Sequence, residues 1–165
     1  MQQFVPAKKR VVVFLCALAV CGVAAFTLLW SWGLRAVRVL DPAEYTQQAP
    51  AGFVFDTACS LQDGVLCVDG YAAVEGERFE SVDTRVVLYH AEDDTYILLP
   101  TQMVESEAAR QATGLPLAQY GGFSARAKAS GLEHHPVEEY EICIAYRNDG
   151  HNALVHTGRR VEVAQ

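Results

Sequence analysis

Not one of the 20 acidic residues of this 165-residue chain stands before Asp41, and no residue of either sign falls between Val11 and Leu34. The uncharged run is dominated by Val, Leu, Ala and Phe, with apolar residues on every helical face. A helix packed on a soluble core would keep one polar face toward water, so this pattern excludes one. Basic residues are scarce after the run: from Arg35 onward ten of them stand against twenty acids, a net charge of −10. A surface of that sign repels phosphate backbones and anionic headgroups, which argues against nucleic acid as a partner. Also missing are internal repeats, low-complexity tracts and the alternating helices that a parallel βαβ sheet needs.

The run Val11–Leu34 is long enough to cross a bilayer, since roughly twenty helical residues cover the ~30 Å hydrocarbon core. Trp30 and Trp32 near its far end sit where indoles favour the headgroup level, and they are expected to form a membrane-interface belt. Lys8, Lys9 and Arg10 precede the run, while Arg35 and Arg38 follow it. That bias favours residues 1–10 as a cytoplasmic tail and the remainder outside the cytoplasm. A cleaved signal peptide shares the basic-then-apolar order. Its apolar region is only about 7–15 residues and ends on small side chains, so retention of 11–34 as an anchor is expected. Leu18-Ala19-Val20-Cys21 approximates a lipid-attachment box, but Val20 is large for its place and the apolar run continues well past Cys21.

Residues 35–51 mix Pro42, Pro50, Gln47 and Gln48 with few large apolar side chains and read as a stalk. Residues 52–165 read as one domain. Short strand-like runs cover Phe53–Cys59, Val65–Val74, Val82–His90, Tyr96–Leu99, Phe123–Ala127, Tyr140–Tyr146, Ala153–His156 and Val161–Val163. Asp63-Gly64, Asp93-Asp94, Gly121-Gly122 and Asn148-Asp149-Gly150 punctuate them, which predicts an all-β, antiparallel β-sandwich-like domain. Tyr140, Ile142, Ile144 and Tyr146 share one face of their strand, and Glu141 points the other way. One short connecting helix is expected over Val104–Thr113, capped by Ser106 and ended by Gly114 and Pro116.

Cys59 and Cys67 flank the turn Asp63-Gly64. A three-residue loop of Gln62, Asp63 and Gly64 would set Leu61 opposite Val65 and Cys59 opposite Cys67, so a disulfide across the hairpin is expected on the oxidising side of a membrane. Two small buried thiols are the alternative. Cys143, between Ile142 and Ile144, reads as a lone strand residue.

Three segments carry a family resemblance: Val68-Asp69-Gly70-Tyr71-Ala72, Tyr120-Gly121-Gly122-Phe123-Ser124-Ala125-Arg126, and the ending Tyr140–Val163 with Ala153-Leu154-Val155-His156-Thr157. Across residues 65–163 the chain resembles the extracytoplasmic β-rich accessory domains of membrane proteins in bacterial surface-polysaccharide synthesis. The resemblance implies an envelope setting and a sandwich fold. Those domains accompany a larger membrane enzyme, which this chain lacks, so a separately encoded membrane-protein partner is expected.

Signals for chemistry are sparse. Ser124 has no nucleophile elbow around it. Neither Glu75, Glu77, Glu80 and Asp83 nor Glu92-Asp93-Asp94 has the spacing of a calcium loop, and both read as solvated surface. Of the histidines His90, His134, His135, His151 and His156, the adjacent pair before Pro136 diverges in a loop, so no metal or other cofactor is expected. Tyr71, Tyr89, Tyr96, Tyr120 and Tyr146 could offer faces to a sugar, with Tyr120 the candidate glycan contact because it precedes a glycine pair. The expected function is a non-catalytic, membrane-anchored module that binds a partner or glycan. The alternative is an assembly subunit acting through its helix, where Ala19, Gly22, Ala24 and Ala25 would permit close packing.

Overall fold

In the computed structural model, which describes residues 6–33, 37–79, 81–132 and 135–162, residues 11–33 of the uncharged run lie within one helix, α1, Pro6–Gly33. Pro6 stands in its first turn, where a missing N–H costs nothing. The stretch Val11–Leu29 is apolar enough to cross a membrane, and none of it is buried within the protein. The belt expected at Trp30 and Trp32 concerns side chains outside the described ones.

The chain divides into two units, residues 1–34 and 35–165. Among its described residues the second contains nine strands: β1 (Arg38–Val39), β2 (Phe53–Gln62), β3 (Val65–Val74), β4 (Asp83–His90), β5 (Thr95–Leu98), β6 (Thr101–Val104), β7 (Gly122–Lys128), β8 (Glu141–Asn148) and β9 (His151–Arg160). They form a five-stranded sheet ordered β1-β5-β4-β8-β9 and a four-stranded sheet ordered β2-β3-β7-β6, and the strand pairs are antiparallel. The sheets share a core in which Leu66, Val68 and Phe123 of one pack with Val86, Leu88 and Ile142 of the other. This is the expected sandwich. The side chains of Tyr140, Ile142, Ile144 and Tyr146 all fall in that core, as the alternation predicts.

Helix α2, Glu107–Thr113, is shorter than expected because Val104 belongs to β6. Ser106 caps it by accepting the Ala109 N–H at 3.2 Å, and Gly114 closes it in the left-handed region at φ +70°. The two missed strands, β1 and β6, are two and four residues long, too short to display a period. Val161 follows β9 as a buried residue, and Val163 lies outside the described residues.

The β2–β3 hairpin corrects the expected disulfide. Asp63 and Gly64 have φ of +50° and +71°, the signature of a two-residue loop whose twist matches the strands. The loop is therefore one residue shorter than expected, and the register slips by one. Cys59 faces Val68, and Cys67 faces Ser60. Because opposed residues share a face, Cys59 points toward the core and Cys67 away from it, and both thiols are free.

A second correction concerns the stalk. Residues 37–50 belong to the domain. β1 adds to the edge of β5, and Leu40 N–H donates to Tyr96 O at 2.8 Å. At the opposite edge Thr46 N–H donates to Asn152 O at 2.8 Å and Thr46 O accepts from Leu154 N–H at 2.9 Å. Between these anchor points the segment lays Leu40 and Tyr45 on the outer face of the five-stranded sheet, over Val87, Tyr96, Cys143, Ala145 and Leu154. The Tyr45 ring also lies 4.7 Å from the Arg147 guanidinium, a cation–π distance.

Replacing Tyr45 with Ala empties the centre of that second core. The expected cost is about 3 kcal/mol, typical of a deleted buried aromatic ring, read as a lower urea midpoint for the full chain in detergent. A loose spacer would lose less than about 0.5 kcal/mol.

Candidate functional site

Three places in the domain bring chemically capable groups together. The first lies on the outer face of the five-stranded sheet. The β8–β9 turn is again a two-residue loop, Asp149 and Gly150 at φ +45° and +85°. It sets Asn148 opposite His151 and, counting back, Cys143 opposite His156. Glu141 is two residues from Cys143 and so shares its face. The His156 Nδ1 lies 3.5 Å from the Cys143 Sγ and 3.3 Å from the Glu141 Oε2. Its Nε2 lies 3.3 Å from the Tyr96 hydroxyl, and Tyr89 meets its ring edge-on. Beyond this point β9 departs from regular pairing: Thr157 and Gly158 are extra residues between the pairs Cys143–His156 and Ile142–Arg159. Gly158, at φ +69°, donates its N–H to the Glu141 Oε1 at 2.9 Å.

Burial pushes the Cys143 thiol far above its ordinary pKa, and the Glu141 carboxylate adds to the effect. The sulfur is therefore protonated at neutral pH and is no ready nucleophile. The carboxylate and the thiol also meet the same imidazole nitrogen, whereas a Cys–His–acid relay places them on opposite nitrogens.

The second place sits at one end of the sandwich. His90 ends β4 and is only 2% exposed. Its Nδ1 lies 2.8 Å from the Asp93 Oδ1 and its Nε2 3.5 Å from the Glu139 Oε2. His135 stacks on it at 3.5 Å between ring centroids and places its Nε2 3.1 Å from the Asp93 Oδ2. Tyr140 packs beside both rings. Asp93 thus joins the two imidazoles on one edge, and Glu139 approaches both from the other. Burial alone would lower the His90 pKa, but the Asp93 and Glu139 carboxylates outweigh it and the net direction is upward. The bond to His90 pushes the Asp93 carboxyl down to about 2.

The third place is a cleft of about 760 Å³ between the edge of β2 and the end of β9, lined by Thr57, Cys59, Ile142, Arg159, Arg160 and Glu162 among others. Arg159 closes one side through the Asp56 carboxylate at 2.7 Å and the Thr57 carbonyl at 2.9 Å.

The tyrosines do not form one platform. Tyr146 lies in the main core and donates to Glu77 at 2.7 Å, while Tyr96 is buried beneath the strap formed by residues 37–50. Tyr120 stands exposed in a separate turn, Pro116–Gly121. Two acidic residues read as solvated surface have specific roles: Glu77 is tucked inward and Asp93 bridges two histidines. His134 and Glu80 lie outside the described residues. The cluster on β8 and β9 was countable from Asn148-Asp149-Gly150 once a two-residue loop is assigned, whereas the stacking of His90 on His135 joins segments 45 positions apart and leaves no local signal. No family model, no curated protein and no solved structure matches the chain.

The histidine end carries a pH dependence of definite sign. A raised His90 pKa contributes stability that is complete below its unfolded value of 6.5 and is lost as pH rises through the folded value. Asp93 contributes above its unfolded value of 3.8 and loses that contribution as pH falls toward about 2. The pair is therefore most stabilising from about pH 4 to 6.5. Thermal melts of the full chain between about pH 6 and 8 should fall with rising pH, and His90→Gln should flatten that slope. An unchanged slope in the variant would assign it to other groups.

Proposed function

We propose that the chain is a single-pass membrane protein carrying a non-catalytic binding or accessory domain on the extracytoplasmic side of a bacterial cell envelope. The observation that carries this reading is the uncovered apolar length of Val11–Leu29. Water around such a surface would cost about 25 cal/mol for each Å² of apolar area, and a bilayer removes that cost for all faces of the helix at once. The basic flank Lys8, Lys9 and Arg10 supports a cytoplasmic amino terminus.

The domain's role follows from what its surface offers. The cleft between β2 and β9 presents guanidinium, carboxylate and backbone groups beside the small apolar side chains of Ala58 and Cys59. Such a mixed, open site suits a glycan or an extended segment of a membrane-protein partner, both of which need hydrogen bonds along with some apolar contact. The resemblance of residues 65–163 to accessory domains of surface-polysaccharide synthesis supports the same setting. Tyr120, exposed at the turn before β7, is a further point of glycan contact.

Protease added outside spheroplasts should digest the domain while leaving a fragment that contains residues 11–34, identified by its mass. Protection of the domain, with the amino-terminal tail cleaved instead, would reverse the orientation. A mature chain lacking residues 11–34 would remove the anchor from the account.

A further inference from the structure

We infer that Glu141, Cys143 and His156 form a binding site for one divalent transition-metal ion of the zinc class. This inference does not depend on the side of the membrane the domain occupies. One ligand atom from each of the three residues lies within 4.8 Å of the other two. The finer distances are more telling. Zinc bonds sulfur at about 2.3 Å and nitrogen or oxygen at about 2.0–2.2 Å, so tetrahedral angles place sulfur about 3.5 Å from nitrogen and nitrogen about 3.3 Å from oxygen. The observed separations are 3.5 Å from the Cys143 Sγ to the His156 Nδ1 and 3.3 Å from that nitrogen to the Glu141 Oε2.

The outer contacts suit the same role. The His156 Nε2 has the Tyr96 hydroxyl at 3.3 Å, an oxygen that can accept the Nε2–H hydrogen bond and so leave the Nδ1 lone pair for the ion. Glu141 uses Oε1 to accept the Gly158 N–H, which fixes the carboxylate with Oε2 turned to the site. Thr157 and Gly158, the two extra residues of β9, give the strand the bend that makes this bond possible. Charge also balances. One thiolate and one carboxylate cancel the two positive charges of the ion, which suits a place where the Cys143 sulfur is fully buried and the Glu141 side chain is 24% exposed. On binding, the thiol proton leaves to solvent and a sulfur–metal bond replaces the S–H bond. His156 is 35% exposed, so water can take the fourth position, as in zinc sites with three protein ligands.

The histidine pair at the end of the sandwich supplies a comparison. His90, His135 and Glu139 also gather three ligand atoms, but the imidazoles are stacked within 15° of parallel at 3.5 Å. Lone pairs in parallel rings do not converge on one ion at about 2 Å. Hydrogen bonding to Asp93 accounts for that arrangement without a metal.

The test uses the full chain in detergent, stripped with chelator and titrated with cobalt(II). One equivalent per chain should produce a thiolate-to-cobalt charge-transfer band in the near ultraviolet, and zinc should abolish it. His135→Gln and the double variant Cys59→Ser/Cys67→Ser should keep the band, while Cys143→Ala and His156→Gln lose it and Glu141→Gln weakens affinity at least tenfold. Circular dichroism monitors folding. If Cys143→Ala fails to fold, the half-exposed His156→Gln decides. Absence of the band in folded wild-type protein, its survival in folded Cys143→Ala or in His156→Gln, or its loss in folded Cys59→Ser/Cys67→Ser, would overturn the site.

Discussion

The strap from Arg38 to Thr46 is the contact on which the rest of the domain depends. An antiparallel sheet can leave one face to water when that face is polar, but the outer face of the five-stranded sheet carries Val87, Tyr96, Cys143, Ala145 and Leu154. Tyr45 and Leu40 cover it, and backbone hydrogen bonds at both sheet edges hold them there. The strap also blunts those edges, β1 on one side and Thr46 on the other, which limits their pairing with other chains. It buries Cys143 while leaving Glu141 and His156 at the margin, so the chemistry of that face is bounded by the strap.

Much of the fold was legible because its signals are local. Alternation in Tyr140–Tyr146 identified the inward face of β8, and Ser106 with Gly114 bounded α2 because cap chemistry is set within a few residues. What failed was counting. Asp63-Gly64 was recognised as a turn, but a loop of three residues rather than two moved every cross-strand pair by one and put Cys59 opposite the wrong neighbour. The same two-residue geometry at Asp149-Gly150, applied in the sequence, brings Cys143 to His156. The strap was illegible for a different reason. Its side chains follow neither a 2.0 nor a 3.6 period, because it crosses the sheet and contributes single anchors, and Pro42 with Gln47 and Gln48 imitates a linker.

The functional reading joins two units of opposite character. One is a helix whose stretch Val11–Leu29 is uncharged and apolar enough to cross a membrane; the other is an acidic sandwich whose polar groups are gathered at a sheet face, at one end and in an edge cleft. The dense packing of the sandwich matters for all three places. Gly70 shows how tight it is: a Cβ there would lie 2.2 Å from the Asp56 carbonyl oxygen and 2.9 Å from Phe123. Such packing holds β2 against β3, and Asp56 of β2 in turn holds Arg159 at the mouth of the cleft. Rigid positioning of that kind serves recognition, since less ordering remains to be paid on binding.

The central claim is that the segment after the apolar helix is part of the fold rather than a tether. Amide hydrogen exchange on the full chain tests it most directly at three N–H groups, those of Leu40, Thr46 and Leu154, which carry the strap's bonds to the sheet. Exchange as slow as that of β4 and β8 amides is the predicted result, because breaking these bonds requires uncovering the second core. Exchange of Leu40 and Thr46 at the rate of an unstructured chain, with β4 and β8 still protected, would contradict it.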